Sequence, residues 1–360
     1  MASTDSLPSL RWGIIATGII SSRFAADLQI NRPDVRAHHS VVAVGSSTLE
    51  KAQNFIKTNL TAETRADATP YASYEGVYND PNVQAVYIGT PHIAHKKNAL
   101  DAIAAGKHVL CEKPFTLNAR DAKEIFDAAK AKGVFVMEAV WTRFFPIVQE
   151  IKKKLHEEKI IGDIYRSFAE YSIMDYNEMD PKFRLRDPEL GGGALLDIGI
   201  YTVTWTRLVL DPNVGDKAAE SSWTGSQILK NGVDVHSAGI ASYPTLNRQG
   251  IWSCSLFDNF SRDVVKVEGS LGTLTVVGKH HSCPQWFKVE FFDKTREPIR
   301  YEPPKEGFGF YWEADAVAVA IAAGKLEEEN TMPWKETLSV MEILDNVRKS
   351  SGLVYPQERA

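Results

Sequence analysis

Apolar positions in the first third of the chain follow two alternating spacings. Short apolar runs, typical of buried strands, alternate with longer segments in which apolar residues recur three or four positions apart. The short runs predict strands over residues 9–16, 40–45, 83–88, 108–111 and 134–138. The longer segments predict helices over residues 19–28, 49–59, 74–77, 94–105 and 119–132. Strands that alternate with helices in this way predict βαβ units and a doubly wound parallel sheet.

The spacing changes after residue 140, where apolar and polar residues begin to alternate with a period of two. This alternation predicts strands over residues 163–171, 222–229, 235–243, 251–256, 263–269, 272–277 and 288–292. Helical spacing returns over residues 147–158, 311–323 and 334–349. The sequence therefore predicts an α/β chain of two domains. Residues 1–140 would form the doubly wound parallel sheet, and residues 141–360 an α+β domain with a large, mainly antiparallel open sheet.

The composition narrows the class of protein. The 360 residues are 44% hydrophobic and 24% charged, which is the profile of a soluble globular protein. A formal net charge of −5 predicts no nucleic-acid partner, and no apolar run approaches the roughly 20 residues that span a bilayer. The three cysteines are too widely spaced for a disulfide framework or a metal site. Residues 1–8 lack the basic and apolar regions of a secretory signal, so we expect a cytoplasmic protein.

The turn between the first strand and the first helix is a degenerate form of the glycine fingerprint of Rossmann domains. Ala16 stands at the first glycine position, Gly18 at the second and Ser21 at the third. Gly18 would let the main chain approach a pyrophosphate at the helix N-terminus. The sequence thus predicts a dinucleotide site, with a plain tight turn as the alternative. Its candidate residues are Ala16, Thr17, Gly18, Ile19 and Ile20.

The end of the second strand carries hydroxyl groups where NAD enzymes usually carry an acidic residue. Ser46, Ser47 and Thr48 could donate hydrogen bonds to a 2′-phosphate, and Lys51 could supply positive charge. This pattern favours NADP over NAD as the cofactor. Helix capping is the alternative role for these hydroxyl groups.

Two later strand ends should line the same crevice, because parallel strands end at one edge of the sheet. Thr90 and Pro91 could flank the nicotinamide ribose, with His92 beside them. For His95 a cofactor contact and a core or capping role are equally open. The next strand runs into Glu112, Lys113 and Pro114. A lysine at this edge, preceded by glutamate and followed by proline, indicates a functional group rather than a solvated surface charge.

A glycine-rich cluster at residues 191–193 leads into a predicted helix. Asp197 and Tyr201 are four residues apart on that helix, so they share one face. Both would project toward whatever the glycines make room for. An acidic residue that favours the helix dipole, together with a packed tyrosine, is the alternative. With Lys113 and a dinucleotide fold, a constellation of tyrosine, lysine and aspartate is favoured.

These motifs give the chain a resemblance to the glucose–fructose oxidoreductase / inositol dehydrogenase (GFO/IDH/MocA) family. Within that family it is similar to dimeric dihydrodiol dehydrogenases and fungal NADP-dependent D-xylose 1-dehydrogenases. The resemblance runs from residue 10 to about residue 356. Its motifs lie at residues 11–14 with 19–22, 111–114, 137–146 and 192–201. The dihydrodiol enzymes carry an arginine near the position of Ser47, which this chain lacks.

The resemblance implies hydride transfer between a sugar or diol carbon and the nicotinamide. Tyr201 would be the acid/base, Lys113 would lower its pKa, and Asp197 would orient substrate hydroxyls. It also implies a homodimer through the C-terminal sheet. The implied pocket and cofactor contacts add Trp141, Arg143, Phe145, Asp175, Tyr176 and Arg184.

Several activities are compatible with this constellation. The leading hypothesis is NADP-dependent oxidation of D-xylose or a related aldose at C1 to the lactone. Oxidation of trans-dihydrodiols, or reduction of dicarbonyls or anhydro-sugars, would use the same groups. An NAD-dependent glycosidase and a non-catalytic nucleotide-sensing regulator are further alternatives. The presence of both Lys113 and Tyr201 argues against a pure sensor, which needs no acid/base.

Overall fold

The structure is a computed structural model that describes residues 7–173, 175–257 and 263–359. Residues 1–6, part of the segment in which no secretory signal was recognised, lie outside the described residues. The helices are α1 (Ile19–Asp27), α2 (Leu49–Asn59), α3 (Ala62–Arg65), α4 (Tyr74–Asn79), α5 (His95–Ala104), α6 (Ala119–Lys132), α7 (Pro146–Lys152), α8 (Ile200–Leu210), α9 (Phe310–Ala322) and α10 (Trp334–Ser350).

The strands form two separate sheets. They are β1 (Ser9–Ile15), β2 (His38–Gly45), β3 (Thr69–Tyr71), β4 (Ala85–Ile88), β5 (His108–Glu112), β6 (Val136–Ala139), β7 (Ile164–Ser172), β8 (Ser222–Lys230), β9 (Val233–Tyr243), β10 (Arg248–Ser255), β11 (Asp263–Gly269), β12 (Gly272–His280), β13 (Cys283–Phe291) and β14 (Ile299–Tyr301). The predicted fold class is confirmed: one sheet is parallel and the other is mainly antiparallel.

The chain divides into two compact units. The first contains the residues up to Thr116, together with Arg120–Phe144 and Lys305–Trp334. The second contains Leu117–Ala119, Phe145–Pro304 and the residues from Lys335 onward. No sequence pattern indicated that Lys305–Trp334 returns to the first unit, and a domain boundary at residue 140 stays a prediction.

The first unit is built on a parallel sheet with the strand order β3-β2-β1-β4-β5-β6. Strands β4 and β6 are buried along their whole length, which explains why β4 reads as a continuous apolar run. Phe24 of α1 stacks on Tyr87 of β4 with ring centroids 3.8 Å apart, so this helix packs directly on the sheet. Gly106 and Gly133 follow the C-terminal ends of helices α5 and α6, and both have the positive φ that is typical of glycines at this position.

Helix α9 is held in the first unit by two acidic side chains. The Asp27 carboxylate accepts hydrogen bonds from the main-chain N–H groups of Phe308, Gly309 and Phe310 at 3.0, 2.6 and 2.9 Å. These groups lie at the start of α9, where helical N–H groups lack partners within the helix. Asp315 on the same helix accepts a hydrogen bond from His39 Nε2–H at 3.0 Å. Trp12 donates to the other nitrogen of His39, so Nε2 carries the proton.

The second unit contains the eight-stranded sheet, in the order β14-β13-β12-β11-β7-β10-β9-β8. Its β7–β10 pair is parallel, whereas the other pairs are antiparallel. Helix α8 packs closely on one face, because a side chain at Gly250 of β10 would collide with Thr206 of this helix. The other face exposes apolar residues, among them Ile228, Ile240 and Ile251.

Several elements differ from the sequence predictions. Short α3, β3 and β14 were not predicted, because three or four residues are too few to show a period. The helix predicted over residues 147–158 changes to a π-helix at Lys153–Glu157. Strand β13 begins at Cys283, five residues before the predicted start at residue 288. No helix among the described residues is long and apolar enough to cross a bilayer.

The cap on α9 predicts a large loss of stability for Asp27→Ala. The substitution leaves three main-chain N–H groups without their acceptor, and each unsatisfied buried group costs about 1–3 kcal/mol. We expect the free energy of unfolding to fall by at least about 2 kcal/mol, measured by chemical denaturation. Asp101→Ala is the control, because it removes an exposed pair with Lys97 worth about 0.5 kcal/mol or less. Equal losses in the two variants would contradict the capping role.

Candidate functional site

The phosphate-binding turn has the backbone of a glycine turn without its first glycine. Ala16 adopts a φ of +71°, a region that favours glycine and costs other residues about 1–2 kcal/mol. A Cβ atom added at Gly18 would meet no atom within 4 Å, so the chain there borders open space. Ile19, in the first turn of α1, is 74% exposed. The turn therefore leaves room for a ligand against its main chain.

Ser21 stands at the third glycine position of the fingerprint, and a glycine just after β4 leaves room for its side chain. That glycine normally allows close packing of helix on strand. Here Ser21 is fully buried, and a side chain at Gly89, just after β4, would collide with the Ser21 hydroxyl. In this contact between α1 and the end of β4, the glycine is therefore Gly89 after the strand rather than a residue of the helix.

A cleft of about 510 Å³ opens between this turn and α2. Its lining includes Ala16, Thr17, Gly18, Ser22, Ser46, Ser47, Lys51, Asn54, Thr58 and Tyr74. Most of the predicted cofactor residues in these two segments thus share one cleft, and Ser22, Asn54 and Tyr74 are additions that the sequence did not indicate.

Hydrogen bonds organise the polar end of the cleft. The hydroxyl groups of Thr17 and Ser46 are 2.9 Å apart, and Lys51 Nζ donates to Ser47 Oγ at 3.0 Å. Thr48 has the alternative role left open by the sequence: its hydroxyl accepts from Lys51 N at 3.2 Å and caps α2. Among the described residues that line the cleft there is no Asp or Glu.

The loop after β4 is fixed by a buried histidine. His95 is almost completely buried, with Nδ1 2.9 Å from Pro114 O and Nε2 2.8 Å from Thr90 O. Burial lowers its pKa. From this buried position, His95 links the loops that follow β4 and β5. His92 and Thr90 are also largely buried in this loop, whereas Pro91 is exposed.

Glu112 supports the main chain at Lys113. Its carboxylate accepts from Tyr87 O–H at 2.6 Å and from Lys113 N at 3.2 Å. Lys113 is half-buried at the end of β5. A second carboxyl group lies nearby: Glu313 of α9 is fully buried, and neither of its oxygens has a hydrogen-bond partner among the described residues. Burial, together with the charge of Glu112, raises the pKa of Glu313 well above its ordinary value.

The aromatic segment after β6 belongs partly to the core of the first unit. The Trp141 ring stacks on Phe310 with centroids 4.2 Å apart, and Arg143 is fully buried in the same turn. Phe145 falls in the second unit and is also buried.

In the second unit, Asp197 and Arg184 form a two-pronged ion pair. The distances are 3.0 Å from Nη1 to Oδ1 and 3.1 Å from Nη2 to Oδ2. Asp197 lies in a π-helical turn, Leu195–Gly199, rather than in the α-helix that the sequence predicted, and Tyr201 follows in α8. Single π turns of this kind are frequent at functional sites.

Tyr201 lies beside aromatic residues that the sequence analysis missed. Its ring centroid is 6.0 Å from that of Tyr171, which in turn stacks on His281 at 4.4 Å. Burial raises the pKa of Tyr171 to about 12, and the Asp197 charge contributes to the rise. The β-alternation of residues 163–171 placed Tyr171 on a strand but gave no sign of this neighbour.

The glycine cluster has a different role from the one predicted. A side chain at Gly192 would lie 2.7 Å from Leu185 O, and one at Gly193 would collide with the Asp234 carboxylate. The space beside these glycines is therefore filled by the protein itself. Glycine composition alone cannot distinguish close approach of a ligand from close approach of the chain.

Asp175 and Tyr176, the remaining predicted substrate residues, lie in a loop after β7. Asp175 Oδ1 accepts from Asn177 N at 2.9 Å, as in a local turn. Tyr176 is fully buried, and its hydroxyl accepts from Asn231 Nδ2 at 3.1 Å. Across the described part of the chain, no cluster of three or more His, Cys, Asp or Glu could hold a metal ion.

Two family models match the chain. Residues 10–140 match an oxidoreductase family model with an NAD-binding Rossmann fold, and residues 148–275 match the GFO/IDH/MocA C-terminal domain. The NADP-dependent D-xylose 1-dehydrogenase of Hypocrea jecorina is 36% identical, over 97% of this chain and 94% of that protein. The trans-1,2-dihydrobenzene-1,2-diol dehydrogenase of Sus scrofa is 34% identical, over 98% and 99%.

Solved structures show the same fold. A levoglucosan dehydrogenase with NADH and levoglucosan matches with a TM-score of 0.79 at 19% identity, over 96% of this chain and 97% of that chain. A 3-ketoreductase from Actinomadura kijaniata with NADP and TDP-benzene matches with a TM-score of 0.78 at 22% identity, over 95% and 98%. With both family models and both near-full-length relatives in agreement, the chain belongs to the GFO/IDH/MocA family of oxidoreductases.

Proposed function

We propose that this protein is an NADP-dependent dehydrogenase that oxidises D-xylose, or a related aldose, at C1 to the lactone. The observation that carries the proposal is its 36% identity to an NADP-dependent D-xylose 1-dehydrogenase over almost the whole length of both chains. The nicotinamide would accept the hydride from C1 of the sugar. Residues of this chain would bind and orient the substrate and remove the proton from its reacting hydroxyl.

The open turn and the polar cleft support the cofactor assignment. Ala16, Thr17 and Gly18 would hold the pyrophosphate, because the main chain there borders open space. Ser46, Ser47 and Lys51 would hold the 2′-phosphate of NADP. A cleft lined by hydroxyl groups and a lysine, and without a carboxylate among its described residues, suits a phosphate better than a ribose hydroxyl.

Tyr201 would remove the proton from the reacting hydroxyl. A free tyrosine has a pKa near 10, so the proposed step needs a nearby cation to favour the phenolate, and Lys113 would supply it. Asp197 would orient substrate hydroxyls, with its carboxylate held in place by Arg184. Trp141 and Phe145 would contribute apolar surface for the sugar ring, and Arg143 would support the cofactor side.

Oxidation of a trans-dihydrodiol is the second candidate. The ring of Tyr171, which lies beside Tyr201 and stacks on His281, favours it, since flat aromatic surfaces suit an unsaturated six-membered ring. Relatives that are 34% identical over 98% of this chain are named for that activity.

Replacing Tyr201 by Phe is expected to abolish turnover without weakening cofactor binding. Initial rates of NADP reduction would be measured with D-xylose, D-glucose, L-arabinose and a trans-dihydrodiol. We expect a loss in kcat of roughly 100-fold or more, because general base catalysis contributes about 10²–10⁴-fold. Tyr165→Phe, at an exposed position on β7, is the control.

Undiminished kcat in Tyr201→Phe would contradict the assigned base. If the wild type binds NADP but turns over no substrate of the panel, the glycosidase or regulator alternatives would be favoured.

Lys51→Ala tests the cofactor preference. Loss of a charged contact to the 2′-phosphate should raise the Kd for NADPH about tenfold, equivalent to about 1.4 kcal/mol, and leave the Kd for NADH unchanged. Fluorescence titration of the reduced cofactors measures both values. Lys57→Ala, at an exposed position in the last turn of the same helix, is the control. An equal change for both cofactors would show that Lys51 does not read the 2′-phosphate.

A homodimer through the open sheet is part of the proposal. Ile240 of β9 and Ile251 of β10 are direct partners in the ladder, and both are exposed, as is Ile228. A second copy of the chain would cover them. Sedimentation should show a dimer that Ile240→Glu dissociates and Val354→Glu, an exposed position outside the sheet, does not. A monomeric wild type would refute this part. A cytoplasmic location stays a prediction.

A further inference from the structure

A buried carboxylate contacts the start of the helical segment that carries Asp197 and Tyr201. Asp234 of β9 is fully buried, and its Oδ2 accepts from Leu195 N at 2.8 Å and from Ser237 Oγ at 2.7 Å. Its Oδ1 is buried without a hydrogen-bond partner among the described residues. Because burying a carboxylate is expensive, such a group is retained where its acceptors are needed.

The glycine loop is shaped around this carboxylate. Gly193 has a φ of +121°, and any side chain there would collide with Asp234 Oδ1. The preceding residue in the loop is held by the C-terminal part of the chain, because Tyr355 O–H donates to Gly192 O at 2.7 Å. Gly193 N also donates to Leu185 O at 3.0 Å. The loop therefore has little freedom to shift while Asp234 is in place.

The bond to Leu195 acts at the start of a continuous helical segment. The π turn Leu195–Gly199 runs directly into α8, so residue 195 is its first residue, Asp197 its third and Tyr201 its seventh. The first N–H groups of a helix have no acceptor within it, and a carboxylate there also complements the helix dipole. A displacement of this first turn would move Asp197 and Tyr201 together.

We propose that Asp234 is a positioning residue for the acid/base helix, with its buried carboxylate fixing the first turn and thereby the placement of Asp197 and Tyr201. This inference rests on the proposed function for the roles of those two side chains. Asp234 itself would touch neither substrate nor cofactor.

The ionisation of Asp234 falls within an accessible pH range. Burial raises its pKa to about 6, while its hydrogen bonds to Ser237 and Leu195 oppose the rise. The titratable groups that face it are the Cys254 thiol on β10 and the Tyr355 phenol, both of which burial keeps neutral. Beyond Tyr355 lie the paired charges of Arg348 and Glu358. Below about pH 6 the carboxylate is protonated, and its bond to Leu195 N–H weakens.

Two substitutions of Asp234 separate positioning from simple stability. Asp234→Ala removes the acceptor of Leu195 N, whereas Asp234→Asn keeps an oxygen there but cannot ionise. Glu336→Gln is the matched control, since it weakens the buried pair with Arg207 near the other end of α8. Hydrogen–deuterium exchange of peptides covering residues 191–201 and kcat as a function of pH would be measured on the full chain, with the Kd for NADPH as a check on the first unit.

We expect exchange at residue 195 to quicken at least tenfold in Asp234→Ala, and kcat to fall roughly 100-fold with an unchanged Kd, since small misplacements of reacting groups have effects of this size. Asp234→Asn should recover most of the exchange protection at residue 195 and most of kcat. In the wild type we expect kcat to fall below about pH 6, and Asp234→Asn should not show this fall. Glu336→Gln should unfold more readily but keep the wild-type exchange at residues 191–201 and the wild-type kcat.

The proposal would be overturned if both Asp234 variants showed the same exchange rates and the same kcat as Glu336→Gln. Absence of turnover in the wild type would instead refute the proposed function, and the exchange measurement would still decide whether Asp234 fixes the helix start.

Discussion

Main-chain N–H groups at the start of a helix need acceptors, and for two helical segments of this molecule buried carboxylates from distant parts of the sequence supply them. Asp27 does so for α9 in the first unit, and Asp234 for the segment that carries Asp197 and Tyr201 in the second. Each carboxylate is worth burying because several donors converge on it. The start of each of these segments thus depends on a residue far from it in sequence. In the second unit, the glycine loop packs against Asp234, and the π turn that contains Asp197 comes directly after this loop.

The sequence predicted the regular part of this architecture well, because periodicity reports burial directly. The alternating apolar runs and helical segments indicated the parallel sheet. It could not show that α9 returns to the first unit, since that depends on contacts of Asp27 and Asp315 across more than 270 residues. The weak glycine fingerprint is also explained only in three dimensions. Ala16 adopts a positive φ although it is not a glycine. The absence of a side chain at Gly89 leaves room for the Ser21 hydroxyl.

The candidate site was predictable where residue type alone carries the chemistry. Hydroxyl groups followed by Lys51 indicated a phosphate site, and the structure gathers Ser46, Ser47 and Lys51 in one cleft. Prediction failed where one residue type serves two purposes. Gly192 and Gly193 make room for the chain itself, whereas the sequence pattern had suggested room for a ligand. Tyr171 and Asp234 were missed because neither stands in a motif, and only tertiary packing brings them to the helix of Tyr201.

Glu313 has a thermodynamic consequence for the whole molecule. Its raised pKa means that the folded chain holds this carboxyl group protonated at pH values where the unfolded chain, with an ordinary glutamate, has lost the proton. Folding in that range therefore takes up a proton from solution. By linkage, the contribution of Glu313 to the stability of the folded state is greatest at low pH. This contribution is lost as the pH rises from the ordinary glutamate pKa through the raised value. Between these two pKa values, a proton at Glu313 thus acts as a ligand that binds the folded form in preference to the unfolded one.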